Sequence, residues 1–433
     1  MKEHTSDVVG LPSDRPGGPL VKIAKSSDNF REVICPETGE IQRFQRDLKR
    51  NEYVLENEPT NARFNRFLLQ GSARRLLPGH RITKCIRRIT NVTGDVAILK
   101  SQENGKCHFA GLQTCGSVWA CPVCAAKISE RRKLEVRNAL DTHLAAGGGV
   151  EMITLTFPHA RTDVLSVLME RLRLAMTVLK RGRSYRSVRK IFESVGSIRA
   201  LEVTWGEANG WHPHFHEIWF FAKPLTVGQR RLVKNLMFDG WSSACLKAGF
   251  PAPNRKRGVH IQPAESAADY IAKFGTEPRW EAASELTKQH VKKSRDSKGR
   301  TPFDLLRDYA EGDARGGALF AEYVAAFHGF RQLYWSNGLK AMFGVAELTD
   351  DEIAALQEEK ARPVIRIKVE DWRRVLNMAF DARATLLTLA ENGGHDAVQT
   401  FLLGLAHPAF LRPIKTRRDP ASVLSKKSQM RLI

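Results

Sequence analysis

The chain has 433 residues, enough for two or three domains with a substantial core, and carries a formal net charge of +21. That excess goes beyond what solubility requires and calls for a polyanionic partner; nucleic acid is favoured over a membrane, because no apolar run is long enough to span a bilayer. The first residues lack the apolar stretch of a signal peptide, and seven cysteines, four of them from Cys107 to Cys124, suit a metal site in a reducing compartment better than a disulfide framework, so a cytoplasmic protein is expected.

Residues 1 to 80 combine the turn-rich Pro12-Ser13-Asp14-Arg15-Pro16-Gly17-Gly18-Pro19 with mixed polar sequence, which predicts a mobile N-terminal region holding a short helix near Ala62 to Leu69. Residues 81 to 149 form a cysteine-rich segment and a helix. Asp95 to Leu99 reads as a strand, and Cys107, Cys115, Cys121 and Cys124 follow. The Cys121-x-x-Cys124 turn lets two thiolates bite one tetrahedral ion, and the two upstream sulfurs complete a four-cysteine zinc site. His108 is an alternative fourth ligand, and a redox pair is a competing role for Cys121 and Cys124. Cys35, Cys85 and Cys245 stand alone and read as ordinary. Ala125 to Ala146 has helical periodicity and ends at Gly147-Gly148-Gly149.

Residues 150 to 344 carry the next unit. Val150 to Phe157 predicts a strand, Thr162-Asp163 a cap, Leu165 to Leu179 an amphipathic helix, and Lys180 to Lys190 a basic loop. Ile198 to Trp205 predicts a second strand that turns at Gly206 to Gly210 and pairs as a hairpin with Trp211 to Phe221. A helix over Val227 to Ala248, a short strand Val259 to Gln262 and a helix over Glu265 to Phe274 complete the order. That order predicts an α+β fold built as a split βαβ antiparallel sheet of the ferredoxin or RRM kind, with helices on one face and the other free for a nucleic-acid strand.

Three features in this unit bear chemistry. His214 and His216 share a strand face, so both imidazoles can reach one divalent cation, although a strand also tolerates histidines without a metal. Glu202 and Thr204 share a face of the partner strand, which makes Glu202 the candidate third ligand, the alternative being a solvent-facing edge carboxylate; Glu217 points the other way. Tyr270 and Lys273 are neighbours on one helical face, where a cation favours the nucleophilic phenolate, and a plain amphipathic surface helix has the same pattern.

Taken together, Leu155-Thr156, His214-Phe215-His216 and Tyr270-x-x-Lys273 stand in an order and spacing that resembles the plasmid rolling-circle replication initiators, a single-tyrosine branch of the HUH endonuclease superfamily. Cys115 to Cys124, Thr301 to Leu306 and Tyr334 to Lys340 also look like segments of that branch, so the likeness spans about Cys107 to Gly344. The resemblance implies that Tyr270 nicks plasmid origin DNA, forming a 5′-phosphotyrosine and a 3′-OH primer, and later rejoins the strand. It implies Mg2+ or Mn2+ at His214, His216 and Glu202, with Zn2+ structural, and partners that include double-stranded and single-stranded origin DNA, a host helicase and a polymerase. One departure stands out: Ser266 occupies the place of an acidic residue used to end replication, and Glu265, rather than Asp269, is taken as its substitute. A transposase or mobilisation relaxase of the same superfamily, or a zinc-dependent DNA-binding regulator without chemistry, are the alternative readings.

Downstream, Gln289 to Arg300 is a basic stretch suited to phosphate contact or to simple solvation. Residues 345 to 410 predict an α-rich accessory domain, with a capped helix at Thr349-Asp350-Asp351-Glu352, a strand over Val364 to Val369 and helices around Trp372 to Leu389 and Ala397 to Leu405; residues 411 to 433 are a basic tail.

Overall fold

A long hairpin anchors the architecture. Strand β8 (Ser194–Gly206) and strand β9 (Gly210–Phe221) pair antiparallel with Glu202 opposite His214, through a turn that closes at Gly210. Gly210 has φ +70°, and a Cβ there would lie 2.6 Å from the Arg161 carbonyl oxygen, so the turn needs glycine. Strands β7 (Gly149–Leu155), β10 (Val259–Pro263) and β11 (Leu333–Trp335) extend the pair into a five-stranded antiparallel sheet of order β10-β7-β9-β8-β11. The computed structural model describes residues 22–26, 30–34, 41–47, 52–55, 58–263, 299–357, 360–378 and 381–405.

Strand β9 is buried along nearly its whole length, because both sheet faces are covered. On one face Ile218 and Phe220 join Val150, Met152 and Ile198 in a core closed by Val136, Ala139 and Leu140 of helix α2 (Pro122–Ala145). On the other lie α3 (Leu165–Arg181), α4 (Arg183–Ile191) and α5 (Val227–Lys247): the Tyr185 ring meets Trp219 edge-on at 4.9 Å, and Arg230 grips the buried Glu151 carboxylate at 2.8 Å. The expectation of helices on one face alone is therefore corrected. Helix α2 shields the apolar end of the second face, because Ile218 and Phe220 need cover as much as Trp219 and Phe221 do. Truncating Phe220 to Ala is expected to cost roughly 3–5 kcal/mol, read as a lower urea midpoint at unchanged m-value.

Two local expectations also change. The basic segment after Lys180 is not a loop: α4 forms there because Tyr185 and Val188, three residues apart, bury together while the arginines face outward. Helix α3 has Val164 at its N-cap without a side-chain bond, and Asp163 instead accepts from the Ala160 N–H. The Leu165 N–H donates to Glu322 of α7 (Ala314–Ala326), so a distant carboxylate caps the helix. Helix α6 (Pro302–Ala310) begins with a Thr301/Asp304 capping box and proline at its first turn. Near its start Arg300 pairs with Asp308 at 2.9 Å.

The chain divides into two units, residues 1–78 with 116–354 and residues 79–115 with 355–433. The first also contains the backbone strands β1 (Lys22–Ser26), β2 (Phe30–Ile34), β3 (Ile41–Asp47) and β4 (Glu52–Leu55) in a four-stranded antiparallel meander. Helix α1 (Glu58–Leu76) is longer than the expected Ala62 to Leu69. In the same unit fall α8 (Leu339–Met342) and α9 (Asp350–Ala355), the latter started by reciprocal bonds between Thr349 and Glu352. The second unit joins distant stretches of sequence: β12 (Arg362–Ile367) pairs antiparallel with β5 (Val96–Lys100), which pairs with β6 (Cys107–Ala110). Helices α10 (Val369–Leu376) and α11 (Ala382–Leu405), with a kink at Gly394, pack there: Trp372 meets Phe109 at 5.2 Å, and Glu391 accepts from the Cys107 N–H. Among the described residues no helix is long and apolar enough to cross a membrane.

Candidate metal centres

The hairpin register places Glu202 directly opposite His214, and β7 places Thr154 opposite His216. Period-two alternation then puts all four side chains on one face. Glu202 Oε2 lies 3.0 Å from His216 Nε2 and 3.2 Å from His214 Nε2. The ligand atoms of Glu202, His214 and His216 fall within 4.8 Å of one another. Burial by itself would raise the Glu202 pKa, but hydrogen bonds to both imidazoles outweigh it and hold the carboxyl well below the usual carboxylate range. Glu202 is thus an anion that can only accept.

The two histidines differ in what lies behind them. His216 Nδ1 is 3.0 Å from the Thr154 hydroxyl, which can donate to it, so a neutral ring satisfies both contacts by donating its Nε2 proton to Glu202. Burial lowers the His216 pKa despite the pull of Glu202. His214 Nδ1 instead faces the His212 carbonyl at 3.2 Å, and a carbonyl can only accept. A ring whose Nδ1 donates to that carbonyl presents Nε2 as a ligand atom on the Glu202 side. The donor set of two imidazoles and one carboxylate fits a divalent ion.

Two further histidines continue the row. His159 Nε2 and His212 Nδ1 approach to 2.6 Å, and the His212 and His214 rings lie 5.1 Å apart. Burial, with His214 and His159 beside it, pushes the His212 pKa down to about 4. Burial likewise lowers His159. These rings therefore remain neutral near pH 7, and one of each touching pair can accept from the other. Thr154 and the His212 carbonyl are site components that sequence reading missed. The register of β7 against β9 brings Thr154 in, and the close approach of His214 Nδ1 brings in the His212 carbonyl.

The second group is the cysteines. Among the described residues Cys121 and Cys124 of the first unit, and Cys85, Cys107 and Cys115 of the second, are all buried. Around Cys85 the Ile86 N–H donates to the Gln113 carbonyl at 2.7 Å, Gln113 N–H donates to the Arg88 carbonyl, and Ile89 bridges to Leu112. Ile86 has φ +51°, a strained value for a β-branched residue. Cys107 and His108 lie on β6. Cys121 stands at the N-cap of α2 and accepts from the Gln70 amide at 3.2 Å, the kind of contact that favours a thiolate. A turn that offers two thiolates fits one edge of a tetrahedral zinc site. Cys121→Ser is expected to lower zinc content and melting temperature; unchanged metal content and melting would remove zinc from this turn. Cys245 does behave as an ordinary core thiol, pushed up to about 12 by burial.

The remaining site expectations fall elsewhere. Tyr270, Lys273, Glu265 and Asp269 lie outside the described residues, as do Cys35, most of Gln289 to Arg300 and the tail from residue 411. Glu217 faces away from the histidine row and accepts from the Trp219 indole N–H at 3.0 Å.

Comparison with known proteins adds a family to this geometry. The profile of the family described as Replication protein matches residues 107–362, more than half of the chain, and the chain belongs to that family. A curated relative, Protein rep of Streptomyces lividans, is 29% identical over 356 residues, covering 66% of this chain and 77% of the relative. A second, the Neomycin resistance protein of Streptomyces cyanogenus, is 33% identical over 144 residues, covering 28% of this chain and 33% of that protein. No solved structure matches the chain.

Proposed function

We propose that this chain is a plasmid rolling-circle replication initiator of the single-tyrosine HUH kind, which nicks and rejoins origin DNA in the cytoplasm. The observation that carries this reading is the meeting of Glu202, His214 and His216 within 4.8 Å, a donor set of one carboxylate and two imidazoles. Membership of the Replication protein family supports it. So does the sheet, whose order β10-β7-β9-β8, with helices between β7 and β8 and between β9 and β10, suits a split βαβ arrangement.

In this reading His214, His216 and Glu202 hold Mg2+ or Mn2+, which supplies charge to offset the anion gathering on the scissile phosphate oxygens. The neutral His159 and His212 hold the row in register without adding positive charge. Tyr270 Oη attacks phosphorus: the Oη–P bond forms, the P–O3′ bond breaks, the phenol releases its proton and the departing 3′-oxygen takes one. The tyrosyl ester keeps the energy of the broken linkage, so a 3′-OH can reverse the step and close a circle. Lys273 favours the phenolate, and Glu265 serves the terminating transfer. The cysteine-rich segment holds Zn2+ as a structural element. Origin DNA, with host helicase and polymerase, makes up the set of partners.

The test is incubation of the protein with supercoiled origin plasmid and Mn2+, followed by denaturing gels. A covalent protein–DNA species with a free 3′-OH is expected. Tight binding to DNA that stays intact would support the non-catalytic regulator instead.

A further inference from the structure

On the sheet face opposite the histidine row, a cavity of about 470 Å³ opens between α3, β8, β9 and the segment that leads into β11. Arg173, Lys180, Arg199 and Arg331 line it, together with Phe215, Phe330 and Tyr334. Three of these four cations lie over rings. Arg199 sits 4.8 Å from the Phe215 centroid and 5.0 Å from that of Tyr334, Lys180 is 4.5 Å from Tyr334, and Arg173 is 4.5 Å from Phe330. Among the described residues none of the four forms an ion pair or donates a hydrogen bond, and no carboxylate lines the cavity. Glu217 lies buried on the same sheet face, with its Oε2 already taken by Trp219. Burial lowers the Lys180 pKa, with Arg199 and Arg189 adding to the effect and Glu217 offsetting part of it.

We infer that this cavity is a phosphate subsite that takes one nucleotide unit, on the sheet face away from the histidine centre and independent of cleavage. Cations brought together against their mutual repulsion, each still with its donors unspent, are matched by an anion with several acceptor oxygens, and arginine forks suit phosphate best. The volume is in the range that accommodates a nucleotide. Stacking fixes Arg199 before any ligand arrives, so little side-chain freedom is lost on binding. The same chemistry is offered by an internucleotide phosphate of single-stranded DNA and by a free nucleoside triphosphate.

Binding of a fluorescent thymidine oligonucleotide and of ATP is measured for the full chain, for Lys180→Gln/Arg331→Gln, and for a charge-matched control, Arg231→Gln/Lys247→Gln, on the exposed side of α5. A loss of about tenfold for the oligonucleotide in the cavity variant alone, with the salt slope reduced by roughly 1.4, assigns the site to a DNA strand. The same loss confined to ATP assigns it to a free nucleotide. Unchanged affinity for both ligands, or an equal loss in the control, overturns the inference. None of these readouts requires the protein to nick DNA, so failure of the cleavage reading is a separate result.

Discussion

Replacing Tyr270 by Phe is expected to remove the covalent protein–DNA adduct entirely, a loss on the order of 10⁴-fold or more, because the substitution deletes the attacking atom and leaves the ring. A free phenol has a pKa near 10, so only about one in a thousand is ionised at neutral pH, and raising that fraction is the role proposed for Lys273. The variant should bind origin DNA within about twofold of wild type, since a phenol oxygen contributes little beside the phosphate contacts of a chain with net charge +21. Lys273→Gln, by contrast, should slow adduct formation without abolishing it and shift its pH dependence upward. Undiminished adduct yield in Tyr270→Phe, measured on denaturing gels with labelled origin strand, would show that another residue is the nucleophile.

The second large effect is expected at the histidine centre. His216→Ala removes a ring that is 2% exposed and hydrogen-bonded on both sides, leaving Glu202 with one imidazole and Thr154 without its partner. Mn2+ affinity measured by calorimetry should fall at least about tenfold, and nicking about 10²–10³-fold, in line with losing an electrostatic contact to a developing anion. Glu202→Gln isolates the charge from the shape. It keeps the volume and an acceptor oxygen, so folding should be preserved while metal affinity falls. If both variants bind Mn2+ and nick as wild type does, the metal of cleavage sits elsewhere.

Much of the centre could be read in the chain because β-strand geometry is so restrictive. Alternation alone places His214 with His216, and a hairpin closed at Gly210 leaves few registers, one of which sets Glu202 opposite His214. The α3 and α5 helices were likewise visible as apolar repeats, and the Thr226/Gln229 box marks where α5 starts. Where the reading went astray, the decisive partner lay far away in sequence. The α4 segment looks like a basic loop until Trp219 offers Tyr185 a surface, and α3 is capped by Glu322 rather than by its own preceding residues.

Local pattern thus settled the elements, the pairing of His214 with His216 and the Cys121/Cys124 turn, since backbone stereochemistry and short-range hydrogen bonding act over a few residues. Long-range packing alone drew β12 to β5 across more than two hundred and fifty residues and left Arg173, Lys180, Arg199 and Arg331 around one cavity. Such choices depend on which surfaces bury each other, and burial is a property of the assembled chain that no window of sequence carries.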